Sequence, residues 1–197
     1  GPATGKAAEF ASFDDLFHAF PRQLHHFLEI KMRGNQVIAR LYATCLPAPF
    51  LSILISDCIA NGKDYNAGGA RYNTNYIQGV GLGTLTDCLS AIKYLVFEQH
   101  DLTMAELLAA LEADFVGKEP VRQLLLNKPP KWGNDLDEAD DLARRVFEAY
   151  YAAVNGRPNT KGGHYRINLL PTTCHVYFGK MTGATPDGRR AHTPLSE

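Results

Sequence analysis

Apolar residues recur at helical spacing near the start of the chain. Phe13, Leu16, Phe17, Phe20, Leu24, Phe27 and Leu28 follow the i, i+3, i+4 rhythm of one buried helix face. Ser12, with Asp15 three residues on, is a capping-box-like start. Pro21 interrupts the pattern and predicts a kink or a break, because it lacks the N–H that the helix needs. Past a weak point at Gly34 the stripe resumes through Val37, Ile38, Leu41 and Tyr42, until Pro47 and Pro49 end it. A short apolar helix is predicted over residues 50–60, with Asn61-Gly62 as its stop.

From residue 64 to 83 the helical period disappears into a glycine-rich, aromatic-polar stretch, in which residues 72–78 suit one short strand. Thr84 and Asp87 then open a helix with Leu85, Cys88, Leu89, Ile92, Leu95 and Val96 on its apolar side. Thr103 and Glu106 open another that ends near Gly117, and Pro120 suits the first turn of a short one over 121–127. Asn134 or Asp135 caps a long helix that runs to 151–154, stopped by Gly156. Its acids come first and Arg144 and Arg145 later, an order that suits the helix dipole. Residues 164–179 are the strongest strand candidate, as Tyr165 to Leu170 and then Thr172 to Phe178, with an edge or bulge expected at Pro171. The reading is an α/β segment, mostly helical with few strands, and without repeats, low-complexity tracts or an obvious internal linker.

Composition narrows the function classes. The 197 residues are 45% hydrophobic and 21% charged, enough apolar material for a sizeable core. Twenty basic and 21 acidic residues give a formal net charge of -1, so no basic face is available for nucleic acid or anionic lipid. No apolar run approaches the ~20 residues of a membrane-spanning helix. Cys45, Cys58, Cys88 and Cys174 are scattered without a C-x-x-C pair, and read as reduced, mostly buried thiols of a cytoplasmic protein. The chain opens without Met on a loop-like Gly1-Pro2 and closes on Pro194-Leu195-Ser196-Glu197 without a cap, so both ends read as cut.

The isolated motifs favour structural roles. Gly79-Val80-Gly81-Leu82-Gly83 precedes a helix, but Thr84 stands where the dinucleotide fingerprint needs its third glycine, and no Gly-Lys-Ser/Thr follows. Such glycines instead mark a close backbone approach or a positive φ. His18, His25 and His26 lack a carboxylate or cysteine at metal-ligand spacing. The acids of 135–141 break the calcium-loop pattern at Ala139 and suit a solvated helix start. Cys174-His175 would point to opposite faces of a strand, which leaves Cys174 as a pocket or core thiol.

Four ordered blocks carry a resemblance. They are Gly68-Gly69-Ala70-Arg71-Tyr72-Asn73 leading into Gln78-Gly79-Val80-Gly81; Leu89-Ser90-Ala91-Ile92-Lys93-Tyr94; Asn127-Lys128-Pro129-Pro130-Lys131-Trp132-Gly133-Asn134-Asp135; and Val176-Tyr177-Phe178-Gly179-Lys180 with Gly183-Ala184-Thr185-Pro186-Asp187-Gly188-Arg189. Together they resemble the glycyl radical enzymes, the pyruvate formate-lyase-like family, over about residues 14–197. Tyr72-Asn73-Thr74-Asn75-Tyr76-Ile77-Gln78 and Leu170-Pro171-Thr172-Thr173-Cys174-His175 are similar to the hydroxyproline dehydratase and arylacetate decarboxylase branch.

That resemblance implies a ten-stranded α/β barrel, of which residues 1–197 form an internal catalytic-domain segment. It implies a radical elimination of water from trans-4-hydroxy-L-proline, with arylacetate decarboxylation or another reaction of the family as the alternative. In this family a glycyl radical passes to a cysteine, whose thiyl takes a hydrogen atom from the substrate. An adjacent carboxylate serves as general acid or base. No cysteine here has the family's Gly-Cys-x-Glu setting, and the Arg-Val-Ser-Gly-Tyr type of motif is missing, so the thiyl loop is expected before Gly1 and the radical glycine after Glu197. The segment is then expected to bind no cofactor, the parent carrying the post-translational glycyl radical, and to hold no catalytic residue. By resemblance Leu170, Thr172, Thr173 and Cys174 line the substrate cavity. The implied partners are a small-molecule substrate, a radical S-adenosylmethionine activating enzyme and a second copy in a homodimer. A truncated scaffold without activity is the reading of another class. The isolated chain, treated with an activating enzyme and S-adenosylmethionine, is expected to show no glycyl radical by electron paramagnetic resonance; a doublet arising from it would sink this reading.

Overall fold

The stripe at the start of the chain folds as one 33-residue helix, α1 (Phe13–Cys45), with Pro21 inside it. The expected break does not occur. Proline's fixed φ is helical and its lost backbone bond costs ~3 kcal/mol. Burial of Phe13 and Phe17 before it, and of Leu28 and Met32 after it, outweighs that cost. Ser12 caps the helix as its sequence suggests: its Oγ accepts the Asp15 N–H at 3.1 Å and donates to the Asp15 carboxylate at 2.7 Å.

The computed structural model describes residues 1–170 and 172–196. Among them, α2 (Pro49–Ser52), α3 (Ser56–Asn61), β1 (Asn75–Gln78), α4 (Leu82–Ala91), α5 (Met104–Glu112), α6 (Glu119–Asn127), α7 (Asp137–Val154), β2 (Tyr165–Asn168) and α8 (Cys174–Met181) follow α1. A π-helical stretch, Ile92–Glu98, continues α4. The chain divides into two compact units.

The first unit comprises Gly1–Pro2, Gln23–Gln78 and Tyr150–Asn168. β1 and β2 pair in parallel, Asn75 opposite Tyr165 and Gln78 opposite Asn168. A parallel pair needs a long crossover, which the 86 residues between the strands supply. Ile77 and Tyr165 point into a core with Leu28, Met32 and Val154. Tyr150 hydroxyl donates to the Ile77 carbonyl at 2.5 Å.

The glycine-rich stretch before β1 is explained by backbone crowding. A Cβ on Gly69 would lie 1.9 Å from the Lys63 carbonyl oxygen, and one on Gly163 would lie 2.1 Å from that of Asn73. Asn159 ties the crossing: its Nδ2 donates to the Asn73 carbonyl and to Asn75 Oδ1, while its Oδ1 accepts the N–H groups of Lys161 and Gly163 at 2.9 Å each.

The single helix expected over 50–60 is two short ones, α2 and α3. Asp64 is the reason. Its carboxylate accepts the Ala48 N–H (2.9 Å), the Ser52 hydroxyl (2.7 Å) and the Asn66 N–H (2.8 Å), and Ser52 Oγ also accepts the Tyr65 N–H. The turn at 48–52 is thereby tied to the loop at 64–66 instead of running on. Many apolar side chains of this unit stay open, Ile38, Leu41, Phe50 and Leu54 among them, the last two 75% and 67% exposed.

The second unit comprises Ala3–Arg22, Gly79–Ala149 and the chain from Leu169 onward. Phe13, Phe17, Leu89, Leu142 and Val146 form one buried cluster, and Leu95, Leu107, Phe115 and Leu125 lead another. The Arg145 guanidinium lies 4.0 Å from the Phe17 ring centroid and 2.9 Å from the Asp14 carboxylate. Thr103 and Glu106 form a full capping box at the start of α5, a device worth about 1 kcal/mol. Pro120 lies in the first turn of α6 and Gly156 has φ +79, both as the sequence suggests. The long helix starts at Asp137, because Asp135 stands at φ +55 outside it.

The largest correction concerns residues 164–179. Among the described residues of this stretch only Tyr165–Asn168 is strand, and the chain from Cys174 onward is helix α8. The edge or bulge expected at Pro171 lies outside the described residues. Val176, Tyr177 and Phe178 carry β propensity, but local hydrogen bonds at Thr172 and tight packing at Gly179, set out below, override it.

Hydrogen bonds to the Asp64 carboxylate, that from Ser52 foremost, hold it below the usual carboxylate range. A group whose folded pKa is depressed stabilises the fold above its unfolded value, about 3.9 for Asp, and loses that contribution as pH falls through the lower folded value. The melting temperature is therefore expected to fall on acidification below about pH 4. Asp64→Asn is expected to lower it at neutral pH and to flatten that acid limb. An unchanged limb would contradict the role given to Asp64.

Candidate functional site

The candidate wall residues precede and open α8, with Cys174 its first residue. Leu170 is exposed, Thr172 and Cys174 are half-buried, and Thr173, also exposed, is the N-cap of α8. Thr172 organises the turn. Its Oγ1 accepts the Cys174 N–H at 3.3 Å, and its carbonyl oxygen accepts from His175 Nδ1. Thr173 carbonyl accepts the Val176 N–H at 3.1 Å, which starts the helix. Cys174 and His175 are thus neighbours in a first helical turn and not on a strand. The imidazole is engaged with Thr172.

Helix α8 is held against the segment 183–196. A Cβ on Gly179 would lie 2.2 Å from the Thr193 carbonyl oxygen and 2.7 Å from Pro194 Cα, so only glycine lets the two backbones meet. The His175 carbonyl accepts the Leu195 N–H at 3.2 Å, and His192 Nδ1 bonds the Lys180 carbonyl at 2.7 Å.

Arg189 folds that segment. Its Nε donates to Thr185 Oγ1 at 3.0 Å, its Nη1 to the carbonyls of Arg190 (3.0 Å) and Thr193 (2.7 Å), and its Nη2 to the Gly183 carbonyl. Asp187 Oδ1 accepts from Thr185 Oγ1 and from the Arg189 N–H.

Three of the sequence blocks meet here, those of Ser90, of Pro130 to Trp132 and of Asp187 to Gly188. Ser90 Oγ donates to the Pro130 carbonyl at 2.6 Å, Asp87 Oδ1 accepts the Trp132 N–H at 2.9 Å, and Lys131 Nζ reaches the Asp187 carbonyl at 3.3 Å. Arg122 Nε donates to the Gly188 carbonyl at 3.0 Å. Between them lies a cleft of about 380 Å³ lined by Asp87, Arg122, Lys131, Asp187, Arg189 and Arg190, with others. Its charges are spent on internal partners: Arg190 reaches the Asp114 carbonyl and Glu119, and Lys131 lies 4.0 Å from Asp87. Burial raises the Asp87 pKa, opposed by the Trp132 N–H and Lys131. The arrangement suits a structural clamp rather than a ligand site.

The glycine-rich loop before α4 is likewise engaged. Gly81, its N-cap, has φ +84, and Leu195 lies over it. The Thr84 N–H bonds the Ser196 carbonyl at 3.3 Å, and Thr84 Oγ1 accepts the Ser196 N–H at 2.7 Å. The helix start that a phosphate would need is occupied by the chain itself.

Of the four free cysteines, Cys58 and Cys88 are buried, Cys174 is half-buried and Cys45 is exposed. Burial pushes the thiols of Cys58 and Cys88 up, away from a reactive thiolate. Among the described residues, no three His, Cys, Asp or Glu side chains gather as metal ligands, and no helix is long and apolar enough to cross a membrane.

Several of these contacts join stretches far apart in the chain that bear blocks quoted above. The family described as pyruvate formate lyase-like matches residues 1–179. The chain belongs to this family. Over 197 residues it is 52% identical to trans-4-hydroxy-L-proline dehydratase of Clostridioides difficile, covering all of this chain and 25% of that protein. The crystal structure of that enzyme with trans-4-hydroxy-L-proline bound matches with a TM-score of 0.97 over the whole chain. The glycerol-bound, B12-independent glycerol dehydratase of Clostridium butyricum matches at 0.95 with 40% identity, again over 100% of this chain and 25% of that one. Indoleacetate decarboxylase of Tractidigestivibacter scatoligenes is 29% identical over 210 residues, 94% of this chain and 24% of that protein. The chain spans about a quarter of the length of these relatives. It is mostly helical with two parallel strands, and has the fold of the matching quarter of these family members.

Reading the sequence assigned the wall to Leu170, Thr172, Thr173 and Cys174 but gave no part to Arg189 beyond its place in the fourth block. It weighed His175 only as a partner for Cys174. Two adjacent threonines before Cys174-His175 are a hydroxyl-rich helix start, and that signal could have placed His175 in a first helical turn; no comparable signal marks Arg189. Arg189→Lys keeps the charge but loses the planar fork that serves several carbonyls. It is expected to lower stability by about 1–3 kcal/mol, read as a drop in melting temperature. An unchanged melt would contradict the clamp.

Proposed function

We propose that this chain is an internal segment of the catalytic domain of a glycyl radical lyase that removes water from trans-4-hydroxy-L-proline. The observation that carries the reading is 52% identity across the whole chain to the hydroxyproline dehydratase, together with the match to its substrate-bound structure. The lower identity to indoleacetate decarboxylase, 29%, favours dehydration over decarboxylation. The radical cysteine and glycine belong outside these residues; they would take a hydrogen atom from the substrate, which lets it lose water, and return that hydrogen atom to the product. What this chain supplies is a wall.

In that wall, apolar Leu170 shapes the cavity and excludes water. Thr172 Oγ1 accepts the Cys174 N–H, which leaves its own O–H to donate to a substrate oxygen. Thr173 and Cys174 complete the rim at the start of α8. The apolar surface left open in the first unit is covered by other parts of the full-length protein, since patches of this kind are rarely left bare. An activating enzyme of the radical S-adenosylmethionine class installs the radical, and the full-length enzyme works as a homodimer. Four free thiols and the absence of any disulfide among the described residues favour the cytoplasm.

The full-length protein, activated anaerobically and given trans-4-hydroxy-L-proline, is expected to form a product lighter by one water. Thr172→Ala is expected to raise KM about tenfold, the loss of one hydrogen bond. Turnover of an arylacetate with release of carbon dioxide, and none of hydroxyproline, would overturn the reading.

A further inference from the structure

We propose that His175 is a positioning residue, whose imidazole fixes Thr172 in the orientation the substrate meets; this rests on the wall role given to Thr172 above. Thr172 itself belongs to no helix or strand, so its orientation is set by individual hydrogen bonds. Thr172 is held at two points. The Cys174 N–H bonds its hydroxyl oxygen, and His175 Nδ1 bonds its carbonyl oxygen. A carbonyl oxygen only accepts, so the bond requires His175 to carry its hydrogen on Nδ1. The same residue's backbone carbonyl accepts the Leu195 N–H, which anchors the imidazole's own backbone to the segment folded by Arg189.

The consequence is a short mechanical path. The Arg189 fork sets Thr193, Leu195 follows, His175 is held by Leu195, and Thr172 is held by His175. A small displacement of a wall residue is enough to weaken its bond to a substrate, because a binding site works only while its supporting residues are held in place. A loop without this tether would sample orientations in which the Thr172 hydroxyl no longer faces the substrate. The effect belongs in KM, because substrate binding weakens while the reacting groups elsewhere stay in place.

A second imidazole-to-carbonyl bond lies at the other end of the same helix, His192 Nδ1 to the Lys180 carbonyl at 2.7 Å. It serves as the control for a purely structural role. Asparagine can place its amide N–H where Nδ1 stands, so His175→Asn is the conservative variant.

The test uses the full-length protein. Wild type, His175→Ala, His175→Asn and His192→Ala are compared for melting temperature, for radical content after activation, for kcat and KM with trans-4-hydroxy-L-proline, and for hydrogen exchange at the Cys174 amide. His175→Ala is expected to raise KM about tenfold with kcat within about twofold, and to speed exchange at Cys174. His175→Asn recovers most of both. His192→Ala lowers the melting temperature while leaving KM and the Cys174 amide near wild type. Wild-type KM and exchange in His175→Ala would overturn the proposal, as would equal changes in His192→Ala. If wild type fails to turn over hydroxyproline, the functional reading falls, and the exchange data alone then decide whether His175 fixes Thr172.

Discussion

A single guanidinium holds the candidate wall in place. Arg189 donates to the carbonyls of Gly183, Arg190 and Thr193 and to the Thr185 hydroxyl, and so folds a segment that has no helix or strand of its own. Backbone polar groups in such a segment need partners, and an arginine fork supplies several at once. Everything downstream in space follows from that fold. Thr193 and Pro194 lie against Gly179, Leu195 bonds His175, and Ser196 caps α4 at Thr84. α8 therefore starts where it does, and Thr172 is presented at its head.

The first unit meets the same need by another route. Its parallel strands are only four residues each, too short to stabilise themselves. Asn159 and Asp64 tie the neighbouring loops, and the glycines at 69 and 163 permit backbone crossings that any Cβ would block. In both units side chains bonded to backbone, more than sheet ladders, fix the irregular stretches. This is the architecture expected where loops carry function on a helical frame.

The helical frame was legible in the sequence because its signals are local. The stripe from Phe13 to Tyr42, the Thr103–Glu106 box, Pro120 and Gly156 all act over one or two turns. The failures came where distant residues decide. Asp64 splits the helix expected over 50–60, and nothing near Phe50 announces it. Val176, Tyr177 and Phe178 read as strand, yet Gly179 and the segment at 193–195 impose a helix. Pro21 looked disruptive because its local cost is visible, while the burial on either side that offsets it is not. The candidate wall residues rest on the resemblance carried by the Leu170 to His175 wording. The residues that hold them, Arg189 and His175, bond nearby backbone carbonyls in irregular chain that has no period to read, and left only a weak trace.

The central proposal is that Leu170, Thr172, Thr173 and Cys174 form part of a hydroxyproline cavity. A crystal structure of the full-length protein with trans-4-hydroxy-L-proline bound tests it most directly. The account predicts the ligand in van der Waals contact with Leu170 and within hydrogen-bonding distance of Thr172 Oγ1, with His175 Nδ1 still on the Thr172 carbonyl. A ligand bound away from these residues, with Leu170 and Thr172 turned from it, would contradict the account.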